Sequence, residues 1–305
     1  MTFQLTVGEA TITQVTELAR WPFPPWELFP DATGEQAARA AAEFGPGYVE
    51  ERTGALVLAI HSYLVRIGGT TLVVDAGNGN HKDRPNLLPH HRFDTDFLNR
   101  FAGTGTAVED VDVVVSTHLH PDHCGWNTRL EGDRWRPTFP GARYVFGRAE
   151  LDSLQALAAT EHPEGVAADL VRMYDDSVRP VLQNGRWEIA DDGHLLAEHG
   201  DTKVVLRAAP GHTGGHLVAE IRSREGGAVI SGDVVHHPIQ LLYPELSQAG
   251  DADPALARRT RDAVLERCAR DGLLLLPAHF PADHPFTLIR DGGRLRLLPV
   301  TGHHA

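Results

Sequence analysis

Cysteine is nearly absent. Cys124 and Cys268 are the only two in 305 residues, and they stand far apart. No disulfide framework of the kind that staples small secreted domains is indicated. Basic residues are also in deficit: 28 Lys and Arg face 41 Asp and Glu, a formal net charge of −13. That balance speaks against a nucleic-acid backbone as the normal partner. No apolar run approaches membrane-spanning length. The start, Met1-Thr2-Phe3-Gln4-Leu5-Thr6-Val7-Gly8-Glu9, lacks the basic and apolar regions of a signal peptide. A cytoplasmic protein with no membrane partner is expected. Internal repeats and low-complexity tracts are missing, and the terminal Gly302-His303-His304-Ala305 is too short to read as a purification tag. With 42% hydrophobic residues, a sizeable core is within reach.

Histidine is what the chain has in quantity. The segment Thr117-His118-Leu119-His120-Pro121-Asp122-His123-Cys124-Gly125 follows the apolar run Val111-Asp112-Val113-Val114-Val115, which reads as a buried strand. Imidazole and carboxylate suit zinc and related divalent ions. One short loop cannot aim His118, His120, Asp122 and His123 at a single ion, so two metals side by side are indicated. His212 lies in the Gly-rich turn Ala209-Pro210-Gly211-His212-Thr213-Gly214-Gly215-His216. Asp233 ends the strand Ala228-Val229-Ile230, and His279 ends Leu273-Leu274-Leu275-Leu276. Taken alone, each would be an ordinary turn residue. Together with the first segment they complete a ligand set on loops at strand ends.

On these residues the chain resembles the metallo-β-lactamase-fold hydrolase superfamily. The pattern His-x-His-x-Asp-His, then a distant His, Asp and His, is matched by His118, His120, Asp122, His123, His212, Asp233 and His279. The early strand-turn Leu72-Val73-Val74-Asp75-Ala76-Gly77 belongs to it as well. The implied fold is α+β, a four-layer αββα sandwich with the metals at one edge. Residues 1–54 would form a Pro/aromatic arm and short helix of the same domain, and residues 55–305 the catalytic domain. By this resemblance His118, His120 and His212 hold one metal, while Asp122, His123 and His279 hold the other. Asp233 bridges both, and Asp75 orients ligand imidazoles. The cofactors expected are two divalent ions, with zinc the first choice.

The resemblance also narrows the chemistry. Zinc β-lactamases usually carry Cys or His where this chain has Asp233. The stretch Gly232-Asp233-Val234-Val235-His236 looks most like the lactonase and methyl-parathion-hydrolase-like branch, where a residue near His236 contacts substrate oxygen. The implied activity is hydrolysis of an ester or lactone carbonyl by a metal-bridging hydroxide. Asp122, Asp233 and His236 are the residues expected to take part in catalysis. Phosphotriester or phosphodiester hydrolysis on the same dinuclear site is the alternative. A non-catalytic metal-binding protein is disfavoured by the complete ligand set. A di-iron redox role is disfavoured by His120, where that branch commonly has a carboxylate. Cys124 and His216 adjoin the ligands but are read as non-ligands, and His61, His90, His91, His237 and His284 are left unassigned.

Along the chain, Arg20-Trp21-Pro22-Phe23-Pro24-Pro25-Trp26-Glu27-Leu28-Phe29-Pro30 is expected to resist regular strand pairing because Pro blocks it. Such an aromatic arm could pack on its own domain, wall a pocket or form a homodimer contact. A helix is predicted over 34–44. Hairpins are predicted around Gly68-Gly69 and Asp291-Gly292-Gly293. Further helices are predicted over 94–101 with Asp94 as cap, and over 148–159, 164–174 and 253–270. The segment from Trp126 to Trp187 and the arm are expected to shape a pocket for a small-molecule ester, lactone or phosphotriester.

Overall fold

The computed structural model describes residues 3–300. Two seven-stranded sheets face each other. In spatial order the first runs Gln4–Val7, Ala10–Phe23, Leu56–Ile67, Thr70–Val74, Val113–Val115, Arg143–Gly147 and Trp187–Ala190. The second runs Leu195–His199, Thr202–Ala208, Leu217–Arg222, Gly227–Ile230, Leu274–Leu276, Phe286–Asp291 and Arg294–Pro299. Side chains alternate faces along a strand. Leu72, Val74 and Val115 therefore point inward and meet Leu206, Ile230 and Leu276 of the other sheet. Val73 and Val114 point outward and are covered by Phe97, Phe101 and Leu151. On the far side, Val229 and Leu275 are covered by Val264, Leu265 and Cys268 of the helix Pro254–Asp271. Strands buried on both faces must be apolar throughout, which explains the unbroken Val113–Val115 run. The result is the expected αββα layering.

The site-bearing strands are the central ones. Thr70–Val74, Val113–Val115 and Arg143–Gly147 pair in parallel, as do Gly227–Ile230 and Leu274–Leu276. Their carboxyl ends lie at one edge of the sandwich, where the backbone loops cross-connect. Leu217 N donates to Thr117 O at 2.8 Å, Ala59 N to His279 O at 2.8 Å, and Ser231 N to Leu276 O at 3.0 Å. Gly125 is required by crowding, since a Cβ there would lie 1.8 Å from the Asn78 carbonyl oxygen.

Two expectations need correction. The Pro- and aromatic-rich segment does not resist pairing: Ala10–Phe23 is a strand, and Pro22 pairs with Val57 in register. Gln4–Val7 covers the other side of this strand only as far as Thr13. Beyond that it is an edge broken by two register shifts, where a missing N–H costs little. Asp94 does not cap a helix. The helix is Phe97–Ala102, with Asp96 at its N-cap and no side-chain cap bond, and the Asp94 carboxylate faces Asn80. The π-helical turn Tyr174–Val178 and the helix Arg179–Asn184 were not foreseen. The helix at Gly34–Phe44 is as predicted, with a Thr33–Gln36 capping box. At Pro254–Asp271, Asp253 is the cap, accepting from Leu256 N at 2.9 Å. The histidines at 303 and 304 lie outside the described residues.

One long loop, residues 81–93, closes on itself. His81 N donates to Phe93 O and Arg92 N to Lys82 O. Both hinge residues sit at positive φ, +64° and +50°. The loop is clamped to the unforeseen turn by Arg84, which makes two bonds to Asp176 at 2.7 and 2.8 Å. Asp169 accepts from Asn86 N at 2.6 Å and Leu87 N at 2.9 Å. Lys82 is buried over the Trp135 ring at 3.6 Å. No helix among the described residues is long and apolar enough to cross a membrane.

Glu17 pins the neighbouring turn from below. Its carboxylate accepts from Asn78 N at 2.5 Å, Trp126 Nε1 at 2.7 Å, and Gly79 N and Thr95 Oγ1 at 3.2 Å each. Burial raises its pKa, the four donated bonds pull it back, and the balance stands at about 7 against 4.5 in a free chain. Between these values the folded protein holds a proton that the unfolded chain has released. Stability attributable to Glu17 therefore falls as pH rises from about 4.5 to about 7, and the penalty persists above. Urea unfolding across this window is expected to show a steeper decline for the native protein than for Glu17→Gln. Parallel curves would refute the shift.

Candidate metal centre

Four loops bring the seven predicted ligands into two buried groups. His118, His120, His212 and Asp233 form one, and Asp122, His123 and His279 the other; within each group the ligand atoms lie within 4.8 Å of one another. Asp233 stands between them. Its Oδ1 is 3.0 Å from His279 Nε2 and 3.1 Å from His123 Nε2. Its Oδ2 is 3.3 Å from His212 Nε2 and 3.7 Å from His118 Nε2. Asp122 Oδ2 lies 3.5 Å from His279 Nε2 and 3.7 Å from His123 Nε2.

Hydrogen bonds behind the ligands select their tautomers. His123 Nδ1 is 2.9 Å from Asp75 Oδ2, and His212 Nδ1 is 2.9 Å from Asp251 Oδ1. His279 Nδ1 is 2.8 Å from Ala59 O. Carboxylates and carbonyls only accept, so each Nδ1 donates and each Nε2 faces the cluster, carrying a lone pair in the neutral ring; without a cation the neighbouring carboxylates favour the charged form of His123 and His279. Thr117 Oγ1 donates to Asp75 Oδ2 at 2.9 Å and thereby accepts from His118 Nδ1 at 3.1 Å. His120 is turned the other way: its Nδ1 is 3.0 Å from both His118 Nε2 and His212 Nε2. Asp75 itself sits at φ +58°, a left-handed position that Asp tolerates better than most residues.

The donor set fits cations. His118 Nε2 and His212 Nε2 both converge on His120 Nδ1 at 3.0 Å. His123 Nε2 and Asp233 Oδ1 are buried without a hydrogen-bond partner among the described residues, which is costly unless something charged satisfies them. Burial pushes the His118 pKa well below its usual value and that of His120 to about 3, so both offer lone pairs at neutral pH. Burial would raise Asp122 and Asp233, but the surrounding imidazoles outweigh it. Asp122 is held at about 2 and Asp233 well below the carboxylate range.

A family model for the metallo-β-lactamase superfamily matches residues 55–279. The chain belongs to that superfamily. Comparison with curated protein sequences gives no match. Among solved structures, a hydrolase of the β-lactamase superfamily, AbOPH, superposes with TM-score 0.78 at 23% identity, covering 99% of this chain and 98% of that one. AidC, a dizinc quorum-quenching lactonase solved with the product N-hexanoyl-L-homoserine, gives TM-score 0.80 at 17% identity, covering 99% and 98%. An N-acyl homoserine lactone hydrolase with the same product at its catalytic metal centre gives 0.58 at 17%, covering 90% and 94%. At these identities the likenesses show the fold alone. Superfamily membership and the two donor groups agree on a metal-binding hydrolase.

His236 joins the cluster, with Nε2 3.0 Å from Asp233 Oδ2 and its ring stacked on His279 at 5.7 Å. His216 lies behind it, its Nε2 accepting from Asp233 N at 3.0 Å. Cys124 is buried with its thiol donating to His120 O at 3.3 Å. Sequence reading missed Asp251, Glu150 and His90. Glu150 ties two ligand loops, accepting from Leu119 N at 3.0 Å and Gly215 N at 2.9 Å. Asp251 and Glu150 belong to no local motif, and only the folded chain brings them to the ligands. Because Asp251 fixes the His212 tautomer, Asp251→Ala is expected to weaken metal binding about 10–100-fold, measured by competition with a chromogenic chelator. Unchanged affinity would show that His212 needs no such support.

Proposed function

We propose that the protein is a dinuclear metal-dependent hydrolase of ester or lactone carbonyls, with zinc as the cation. The observation that carries this reading is Asp233, one carboxylate with an oxygen toward each donor group, at the floor of a cavity of about 510 Å³. His118, His120 and His212 would hold one cation, Asp122, His123 and His279 the other, and Asp233 would bridge. Such a pair supplies Lewis acidity and lowers the pKa of a shared water.

The chain's own residues do the remainder. Trp21, Phe23, Leu28, Leu58, Leu87 and Val166 make one wall of the cavity apolar, which suits an acyl or aryl group and excludes water from it. His236 also lines the cavity, which supports it as the candidate contact for the substrate oxygen. Asp122 and Asp233 are both ionised and border the cavity, so either could accept a hydrogen bond from an attacking water, although a carboxylate committed to a cation is a poor base. The formal charge of −13 supports a small molecule over a nucleic acid. Trp21 and Phe23 thus contribute to the pocket wall, whereas Trp26 is 61% exposed and outside it.

Elemental analysis is expected to give about two metals per chain, and Asp233→Ala to weaken both sites. On one zinc-loaded preparation, kcat/KM is expected to be highest for a lactone or aryl ester, lower for a phosphotriester and negligible for a β-lactam. A phosphotriester leading by about tenfold would transfer the assignment to phosphorus. A leading β-lactam would overturn the reading of position 233.

A further inference from the structure

We propose that His90 is a specificity-determining residue whose Nε2 accepts a hydrogen bond from an N–H or O–H of the substrate, between the scissile carbonyl and the apolar tail. This rests on the carbonyl-hydrolase reading above. His90 stands at a seam in the cavity. On one side its Nδ1 is 4.0 Å from Asp122 Oδ1, and on the other its ring meets Trp21 edge-on at 5.0 Å. It is therefore placed where the ligand cluster gives way to the apolar wall.

The tautomer follows from Asn78. That side chain's Nδ2 donates to His90 O at 3.2 Å and Gly79 O at 3.4 Å. The amide orientation is thereby settled, and Oδ1 is the atom 2.9 Å from His90 Nδ1. An amide oxygen only accepts, so Nδ1 carries the proton. In the neutral ring Nε2 then holds a lone pair. It has no hydrogen-bond partner among the described residues, yet it is not among the buried unpartnered atoms. The side chain is 16% exposed and lines the cavity, so the lone pair is open to a ligand. Asn78 is fixed in turn by Glu17 through its backbone N–H. His90 is carried by the 81–93 loop, which Arg84 and Asp176 clamp. An acceptor held this firmly discriminates: a partner lacking the donor loses the bond and still takes water from Nε2.

The test uses matched ligands at about pH 8, above the ordinary imidazole range. One pair is α-hexanoylamino-γ-butyrolactone and its carba analogue, with CH2 in place of N–H. The other is a γ-butyrolactone with a hydroxyl on the first side-chain carbon and its deoxy counterpart. In zinc-loaded native protein, the donor-bearing member of at least one pair is expected to have the higher kcat/KM by about tenfold, expressed in KM. One such bond is worth about 1–1.5 kcal/mol. In His90→Phe the ratio is expected to fall to about one, and in His90→Gln, which keeps an acceptor, to recover in part. Damage common to both members cancels in the ratio. The amide and hydroxyl arms tell which donor is used. Dissociation constants of the ring-opened acids, by calorimetry, supply the same ratio without turnover. If no lactone is hydrolysed, the carbonyl-hydrolase reading fails while the binding ratio still judges His90. A native ratio near one in both pairs, or a ratio unchanged in His90→Phe, overturns the proposal.

Discussion

The constraint on which the site depends is the burial of Asp233 among imidazoles. His118, His123, His212, His236 and His279 all approach its two oxygens within 3.7 Å. Packing so many lone pairs and a carboxylate away from water is unfavourable unless cations occupy the space between them. The scaffold bears that cost through stiff supports rather than through the ligands. Asp75, Asp251, Ala59 and Thr117 each take up a ring nitrogen. Glu150 and the strand ends fix the loops themselves.

The parallel strand ends deliver ligands from both sheets to one edge, so the site needs the inter-sheet core to be in register. Slipping a strand by one residue would exchange its inward and outward side chains, moving Val115 or Ile230 out of the core and its loop away from the cluster. The metal site and the hydrophobic core thus share one geometric requirement. Metal binding to the folded state alone would add to stability by mass action.

The cavity wall is built separately. Its apolar side comes from the edge of the first sheet, from the clamped 81–93 loop and from the helix Gly165–Met173. The clamp places two buried cations, Lys82 and Arg84, against Asp176. Removing one member of such a group leaves an uncompensated charge in the interior. The wall can therefore be as well defined as the metal centre while lying outside the ligand motif.

The seven donor residues that the fold gathers, the sheet-forming runs and the helix at 34–44 were legible in the chain itself, because each depends on local pattern: apolar runs, turn residues and fixed donor spacing. The roles of Trp21 and Phe23 were half legible. Their aromatic character left a pocket wall as one of three roles, and Pro22 argued against a strand that an unpaired edge permits. Asp251, Glu150, Glu17 and His90 carried no local signal. Each acts through partners at large sequence distance, such as Asp251 with His212 or Glu17 with Trp126. Their meaning is set by which backbone N–H groups and ring nitrogens the two packed sheets leave facing them. Short-range spacing determined the donor set, and only the tertiary structure decided its tautomers, its supports and the wall that a substrate would meet.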